Sequence, residues 1–254
     1  MTNIVICGAN GKMGHTVASC IESRDDCKVL AGIDSYTKVY SDFPIVETPD
    51  KLTETPDVII DFSNPSSLDA LLEYGLTHNV ALVLATTGYS DEQIAKINAA
   101  SEQIPVFFTF NMSLGINLLV QLAKTATAVL GDQFDIEVVE KHHNQKIDAP
   151  SGTAIMIANA INETHENKYH YVYDRHARRM KREKLEIGMH AIRGGTIVGE
   201  HDVIFAGRDE VITLSHSAAS KGVFAVGAVN AAVFIKGKEA GMYDMAQLVE
   251  VQKS

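Results

Sequence analysis

The sequence predicts an α/β protein, with a Rossmann-like doubly wound parallel sheet and a second α+β domain. Three observations carry this. Up to residue 112, short apolar strand runs alternate with helical periodicities, the pattern of a parallel sheet covered by helices on both faces. A glycine-rich turn joins the first strand to the first helix. Beyond residue 112 come a long helix and then closely spaced strand runs, which suggest a mostly antiparallel second sheet.

In chain order, residues 4–7 read as a short buried strand. Met13, Val17 and Ile21, four apart, give the next helix one apolar face. Strands follow at 29–33, 57–62, 80–85 and 106–110, with helices at 66–78 and 91–101. The second of these helices opens with Ser90-Asp91-Glu92-Gln93, a capping box in which Ser90 and Gln93 satisfy each other's backbone donors. Residues 113–130 form a long helix with Leu114, Leu118, Leu122 and Ala126 on one face, closed by Gly131. A strand at 134–139, a His-His loop and a helix from about Thr153 come next. A charge-rich stretch covers 162–184, and strand runs at 186–192, 196–205 and 210–216 follow it. Arg193-Gly194-Gly195 reads as a tight hairpin turn that lends a charge to the site. A final helix at 223–235 is expected to return to the first domain. The domains expected are therefore 1–112 with 223–254, and 113–222.

The 254 residues can bury a sizeable core. A formal charge of −10 argues against nucleic acid or an anionic membrane as partner, yet leaves room for a basic pocket that takes an acidic substrate. Cys7, Cys20 and Cys27 lack metal-ligand spacing and read as reduced thiols. The apolar runs look strand-sized, as at 80–85, and no basic leader precedes Ile4, so a soluble, cytoplasmic protein is expected.

Gly8, Ala9, Asn10, Gly11, Lys12, Met13 and Gly14 stand between strand and helix, where a dinucleotide's pyrophosphate rests on a helix start. Asp34, twenty residues beyond Gly14, ends the second strand and can accept from ribose hydroxyls. Its charge disfavours a 2′-phosphate and so favours NADH over NADPH, while Lys12 and Lys38 could soften that preference. Ala85, Thr86 and Thr87 end one strand, and Thr109, Phe110, Asn111 and Met112 end the next, at the sheet edge where ligands bind. Ordinary turn chemistry explains these two segments equally well.

Residues 140–153, Glu-Lys-His-His-Asn-Gln-Lys-Ile-Asp-Ala-Pro-Ser-Gly-Thr, are the richest in chemistry. His142, His143 and Lys146 can move protons and attract anions. Ser151, Gly152 and Thr153 open a helix whose first N–H groups can cradle a carboxylate. Adjacent histidines point to opposite sides of a strand end and have no third ligand at a familiar spacing, so no metal is expected. Ser151 lacks the setting of a serine nucleophile.

Together with Asp61-Phe62-Ser63 and Arg193-Gly-Gly-x-x-x-Gly-Glu-His201, these blocks resemble the 4-hydroxy-tetrahydrodipicolinate (dihydrodipicolinate) reductase family of bacterial diaminopimelate and lysine synthesis, over nearly the whole chain. The resemblance implies an open mixed sheet in a substrate-binding and tetramerisation domain that closes with the nucleotide domain over the substrate. It implies hydride transfer from NADH or NADPH to a cyclic imine carrying two carboxylates. His142 and Lys146 would then handle the proton, and His143, Gly152 and Thr153 the substrate. Asp34 stands where many members carry glutamate. Two other readings are a non-catalytic NAD(H)-binding redox sensor and a different small-acid dehydrogenase.

Overall fold

Continuous burial of Val, Ile and Leu along the strands builds the first unit, which comprises Met1–Leu114 and Gly222–Ser254 in a computed structural model describing residues 1–251. The first stretch contributes β1 (Thr2–Cys7), α1 (Lys12–Glu22), β2 (Cys27–Ile33), β3 (Ile45–Val46), β4 (Val58–Asp61), α2 (Leu68–His78), β5 (Ala81–Leu84), α3 (Asp91–Ser101) and β6 (Pro105–Phe108). The second unit, Gly115–Lys221, takes nearly all of α4 (Leu114–Leu130). It continues with β7 (Asp135–His142), α5 (Gly152–Glu163), β8 (His170–Val172), β9 (Glu186–Arg193), β10 (Gly199–Ala206) and β11 (Val211–Ala218). The chain then re-enters the first unit as α6 (Gly222–Ile235), β12 (Gly241–Tyr243) and α7 (Met245–Val251).

The first unit's seven strands lie in the order β3-β2-β1-β4-β5-β6-β12, and every pairing is parallel. The sheet is apolar on both faces, as a helix-covered parallel sheet must be. Ile4, Ile6, Val58 and Ile60 pack against Val17 and Ile21 of α1 and Ala228 and Ala232 of α6. Val5, Ile59, Leu82 and Leu84 meet Leu68, Leu71 and Ile97 of α2 and α3. Each such side chain, fully buried, contributes roughly 1.5–3 kcal/mol. The chain leaves β1 toward one edge and resumes at β4 toward the other. The carboxyl ends of β1 and β4 therefore border a topological switch point, the place where open α/β sheets bind ligands. The Ser90–Gln93 capping box opens α3 as the residues predicted. β3 and β12 are additions to the strands read from sequence; at two and three residues they carry too little periodicity to be seen.

The second sheet has the order β11-β10-β7-β9-β8 and is mixed, as the family resemblance implies, which corrects the mostly antiparallel reading drawn from strand spacing. β10 pairs antiparallel with β7 and β11, whereas β9 runs parallel to both β7 and β8. Since β9 and β10 flank β7 and do not pair with each other, residues 194–198 form no hairpin. They cross the carboxyl end of β7, where Gly194 N–H donates to the His142 carbonyl at 2.9 Å. β7 also runs on to His142, three residues past the expected end. Ile116, Leu119, Ile136, Val138, Ile157, Ile161, Val203 and Phe205 form this unit's core. The apolar runs are not all strand-sized: Leu114–Gln133 is long and apolar enough to span a membrane by length and composition alone. Ile116, Leu119 and Ala123 of that helix are spent on the core.

One glycine in α6 allows the return helix to seat. A Cβ on Gly227 would stand 1.7 Å from the Met112 carbonyl oxygen, which is main chain and cannot swing aside. Gly227→Ala is expected to cost roughly 1–3 kcal/mol, read as a lower denaturant midpoint.

Candidate active site

In the first unit, the turn after β1 depends on glycines for separate reasons. Gly8 adopts a φ of +79°, and a Cβ there would lie 2.8 Å from the Phe62 carbonyl oxygen. A Cβ on Gly14 would lie 2.3 Å from the Gly8 carbonyl oxygen, so only glycine lets α1 start this close to the turn. Gly8 and Ala9 donate to the Ile33 carbonyl at 2.8 and 3.2 Å, pinning the turn to the end of β2. Gly11 caps α1 without a side-chain hydrogen bond, so no side chain covers the helix start. Lys12 is exposed beside it and Met13 half-buried.

Asp34 reaches into this turn. One carboxylate oxygen accepts Asn10 N–H at 2.9 Å and the other Tyr36 N–H at 3.0 Å. Each oxygen keeps a lone pair for a further donor. Two residues absent from the sequence reading complete the clasp: the Tyr40 hydroxyl donates to the Ala9 carbonyl at 3.0 Å, and the Asn10 amide to the Tyr36 carbonyl.

Along the same sheet edge, Ala85 is half-buried, Thr86 buried and Thr87 exposed. Asp61, wholly buried at the end of β4, accepts from the Tyr89 hydroxyl at 3.0 Å and from Ser63 N–H at 3.0 Å. Burial, and then the Asp61 carboxylate, push the Tyr89 hydroxyl far up, so it stays a donor. After β6, Thr109 and Asn111 close a turn in which the Asn111 side chain accepts Ser113 N–H at 2.8 Å. Phe110 projects at 75% exposure. Met112 is 3% exposed and gives its side chain to the core, which leaves its backbone for any ligand contact.

In the second unit, the alternation along β7 sends Ile136, Val138, Glu140 and His142 to one buried face. The Glu140 side chain is inaccessible, and four donors fill its carboxylate. His142 Nδ1 lies 2.6 Å from Oε2 and Arg193 Nη1 donates to Oε2 at 2.8 Å. Ser151 N–H and Arg193 Nη2 donate to Oε1 at 2.9 and 2.7 Å. Burial alone would raise this carboxyl; the Arg193 fork, His142 and the Ser151 N–H outweigh it and hold it below the ordinary range. Nδ1 of His142 is therefore the protonated nitrogen of the neutral ring and Nε2 the one left to act.

Arg193 also donates to the Ile192 and Asp148 carbonyls at 2.8 and 2.6 Å. Its terminal N–H groups are thus committed inside the protein, which corrects the expectation that it lends a charge to the site. His143, half-buried, follows directly after the strand. Lys146 Nζ pairs with Asp148 at 2.8 Å, on a loop whose Ile147 is 99% exposed. Ser151 caps α5 through Ala154 N–H at 3.2 Å, and nothing lies within 4 Å of where a Cβ on Gly152 would be. Thr153 follows in the first turn. His201, paired across the strands with Glu140, places Nε2 3.2 Å from Ser151 Oγ and its ring edge-on to His142. Glu140 and His201 had no role read from sequence; the clue available was two polar residues continuing the buried face of an apolar strand. Elsewhere, His170, Glu183 and Glu186 bring donor atoms within 4.8 Å of one another, but Glu186 is taken by Arg175.

Residues 2–112 match the family model described as dihydrodipicolinate reductase, N-terminus, and residues 115–249 that described as its C-terminus. The chain belongs to the dihydrodipicolinate reductase family. It is 49% identical over 250 residues to the 4-hydroxy-tetrahydrodipicolinate reductase of Caldanaerobacter subterraneus subsp. tengcongensis, covering 98% of this chain and 99% of that one. The Clostridium tetani enzyme of the same name is 47% identical, covering 96% of both. The fold is similar to that of a dipicolinate-bound dihydrodipicolinate reductase from Paenisporosarcina sp. TG-14, with a TM-score of 0.81 at 23% identity over 96% and 97% of the two chains.

Within this reductase-family chain, His201 is a pH-sensitive element of the fold. Burial, and then the neighbouring His142, lower it from 6.5 to about 4. As pH falls between these values the unfolded chain binds a proton that the folded chain refuses. The stability at stake is fully present above 6.5 and lost toward 4, by roughly 3 kcal/mol. His201→Gln is expected to flatten the wild-type decline in stability between pH 7 and about pH 4.5, measured by chemical denaturation.

Proposed function

We propose that this chain catalyses the NADH-dependent reduction of 4-hydroxy-tetrahydrodipicolinate to tetrahydrodipicolinate in diaminopimelate and lysine synthesis. The observation that carries the reading is the convergence, at the end of β7, of His142, the Lys146 loop and the start of α5. A non-catalytic NAD(H) sensor has no use for such a group.

When bound, the reduced nicotinamide supplies the hydride. The turn from Gly8 to Met13 fits its pyrophosphate, since the cap of α1 is Gly11, which has no side chain to bond the first N–H groups of the helix. Asp34 takes the ribose hydroxyls on its remaining lone pairs, and its charge repels a 2′-phosphate, which is why NADH is preferred. Ala85, Thr86, Thr87, Thr109, Phe110, Asn111 and the Met112 backbone complete the cofactor edge.

On the substrate side, Gly152 and Thr153 receive one carboxylate at the helix start, which Ser151 caps with its own N–H and hydroxyl committed inside the protein, and His143 contacts the ring. The 4-hydroxyl first leaves with a ring C–H proton as water, which gives the unsaturated imine; hydride addition then leaves electron density on the ring carbon and nitrogen, which an acid must quench with one proton. Lys146 Nζ supplies that proton, or His142 Nε2 does once the ring is doubly protonated against Glu140, since the neutral Nδ1–H ring offers only a lone pair at Nε2. The family resemblance also implies a cytoplasmic homotetramer; the exposed Val211 and Ile212 on edge strand β11 favour assembly.

Nicotinamide absorbance should fall when the purified protein is given NADH and the condensation product of pyruvate and aspartate semialdehyde; a flat trace sinks the reading. Lys146→Ala is expected to lower kcat by about 10²- to 10⁴-fold with KM for NADH unchanged. Asp34→Asn is expected to raise the NADPH-to-NADH ratio of kcat/KM by about tenfold, equivalent to roughly 1.4 kcal/mol.

A further inference from the structure

Glu140 touches three parts of the proposed site at once, and each belongs to a different segment of chain. Its Oε2 takes His142 Nδ1, and its Oε1 takes the N–H of Ser151, the cap of α5. Arg193 clamps both oxygens and passes one N–H to the Asp148 carbonyl, two residues beyond Lys146. We propose that Glu140 is the positioning residue of this site, setting the tautomer of His142 and the start of α5 together, with Arg193 tying the lysine loop to the same carboxylate. This inference rests on the reductase reading for its kinetic consequences but not for its structural ones.

Stability gives no sufficient reason for the pair. A buried ion pair of this kind is often replaceable by apolar residues at little cost, and Val138 directly precedes Glu140 on the same buried face. What an apolar residue cannot do is accept four hydrogen bonds from fixed directions. With all four acceptor positions filled, the carboxylate can neither rotate nor tolerate a donor in its place. His142 is thereby held with Nδ1–H inward, and Nε2 lies near Gly199, where a Cβ would stand 3.1 Å away. A side chain at 199 would crowd the nitrogen proposed to transfer the proton. The same carboxylate fixes the backbone of Ser151, whose Oγ caps Ala154 and meets His201. Proton donor and carboxylate cradle are thus set from a single point.

Glu140→Gln separates positioning from bulk because it keeps size and removes charge. The glutamine NH2 group cannot face Ser151 N–H, which has no lone pair to offer. Either orientation sets the NH2 group against an Arg193 N–H, so the one facing His142 Nδ1 is favoured, because that nitrogen alone can become an acceptor, if the ring moves its proton to Nε2. The expected results are two. Nitrogen-15 spectra of the neutral His142 ring show the Nδ1–H tautomer in wild type and the Nε2–H tautomer in the variant. In the variant, kcat falls by about 10²-fold or more while KM for NADH stays at the wild-type value. An Nε2–H tautomer in wild type overturns the proposal without recourse to any variant, so a variant that fails to fold leaves it decidable. A Glu140→Gln enzyme with wild-type kcat and the wild-type tautomer overturns it as well. Should the wild-type protein lack reductase activity, the functional reading fails by itself, and the tautomer still decides whether Glu140 positions His142.

Discussion

A carboxylate with no access to solvent must be satisfied entirely by protein donors, and in the second unit that demand organises everything around it. Glu140 recruits a guanidinium, an imidazole and a backbone amide, drawn from β9, β7 and the start of α5. A lone buried carboxylate would be driven to its neutral form. Here the donors win over burial, so the charge persists and exerts a fixed directional pull on each partner. The mixed character of the sheet follows the same logic in space. Because β9 runs parallel to β7, Arg193 arrives opposite His142; because β10 runs antiparallel, His201 arrives opposite Glu140. A wholly antiparallel sheet of these strands would not deliver both to the end of β7.

The nucleotide turn of the first unit is an independent construction on different principles. There the problem is steric: main chain must pass main chain within distances that exclude a Cβ, at Gly8 against Phe62 and at Gly14 against Gly8. Asp34 then performs a structural task before any ligand arrives, taking backbone donors from both Asn10 and Tyr36. The ribose recognition proposed for it and its shaping of the turn use different lone pairs of one group. Because both oxygens hold a backbone N–H, even a change to asparagine gives up one acceptor along with the charge and so acts on the turn as well as on the ligand.

What could be read in the sequence and what could not divides along the distance in chain between interacting residues. The glycine turn, the aspartate after β2, the capping box on α3 and the Ser-Gly-Thr opening of α5 are local patterns, each fixed by neighbours a few residues apart or by one strand–helix–strand unit. The ring of donors on Glu140 joins residues 140, 142, 151 and 193, with 201 alongside, and depends on which strands pair and in what direction. Spacing in sequence carries no such information, so the Arg-Gly-Gly segment read as a hairpin with a charge to lend. β3 and β12 were missed for another reason: two or three residues show no period, and they become strands only because the sheet offers them an edge.

Two of the ion pairs near the end of β7 differ in burial. The pair of Arg193 with Glu140 is buried, forked and tied to further carbonyls, so separating it would strand a charge away from water, at a cost of several kcal/mol by the general behaviour of such pairs. The pair of Lys146 with Asp148 has an exposed aspartate on an open loop, and pairs of that kind are worth at most about 1 kcal/mol. A dianionic ligand can therefore take Lys146 from Asp148 at little cost, but it cannot take Arg193 from Glu140. The cation closest to hand by charge alone is fixed scaffold, and the one free to exchange partners is the lysine. Burial thus suits Arg193 to the positioning and Lys146 to the chemistry proposed for them, with the same carboxylate-pairing chemistry serving opposite ends.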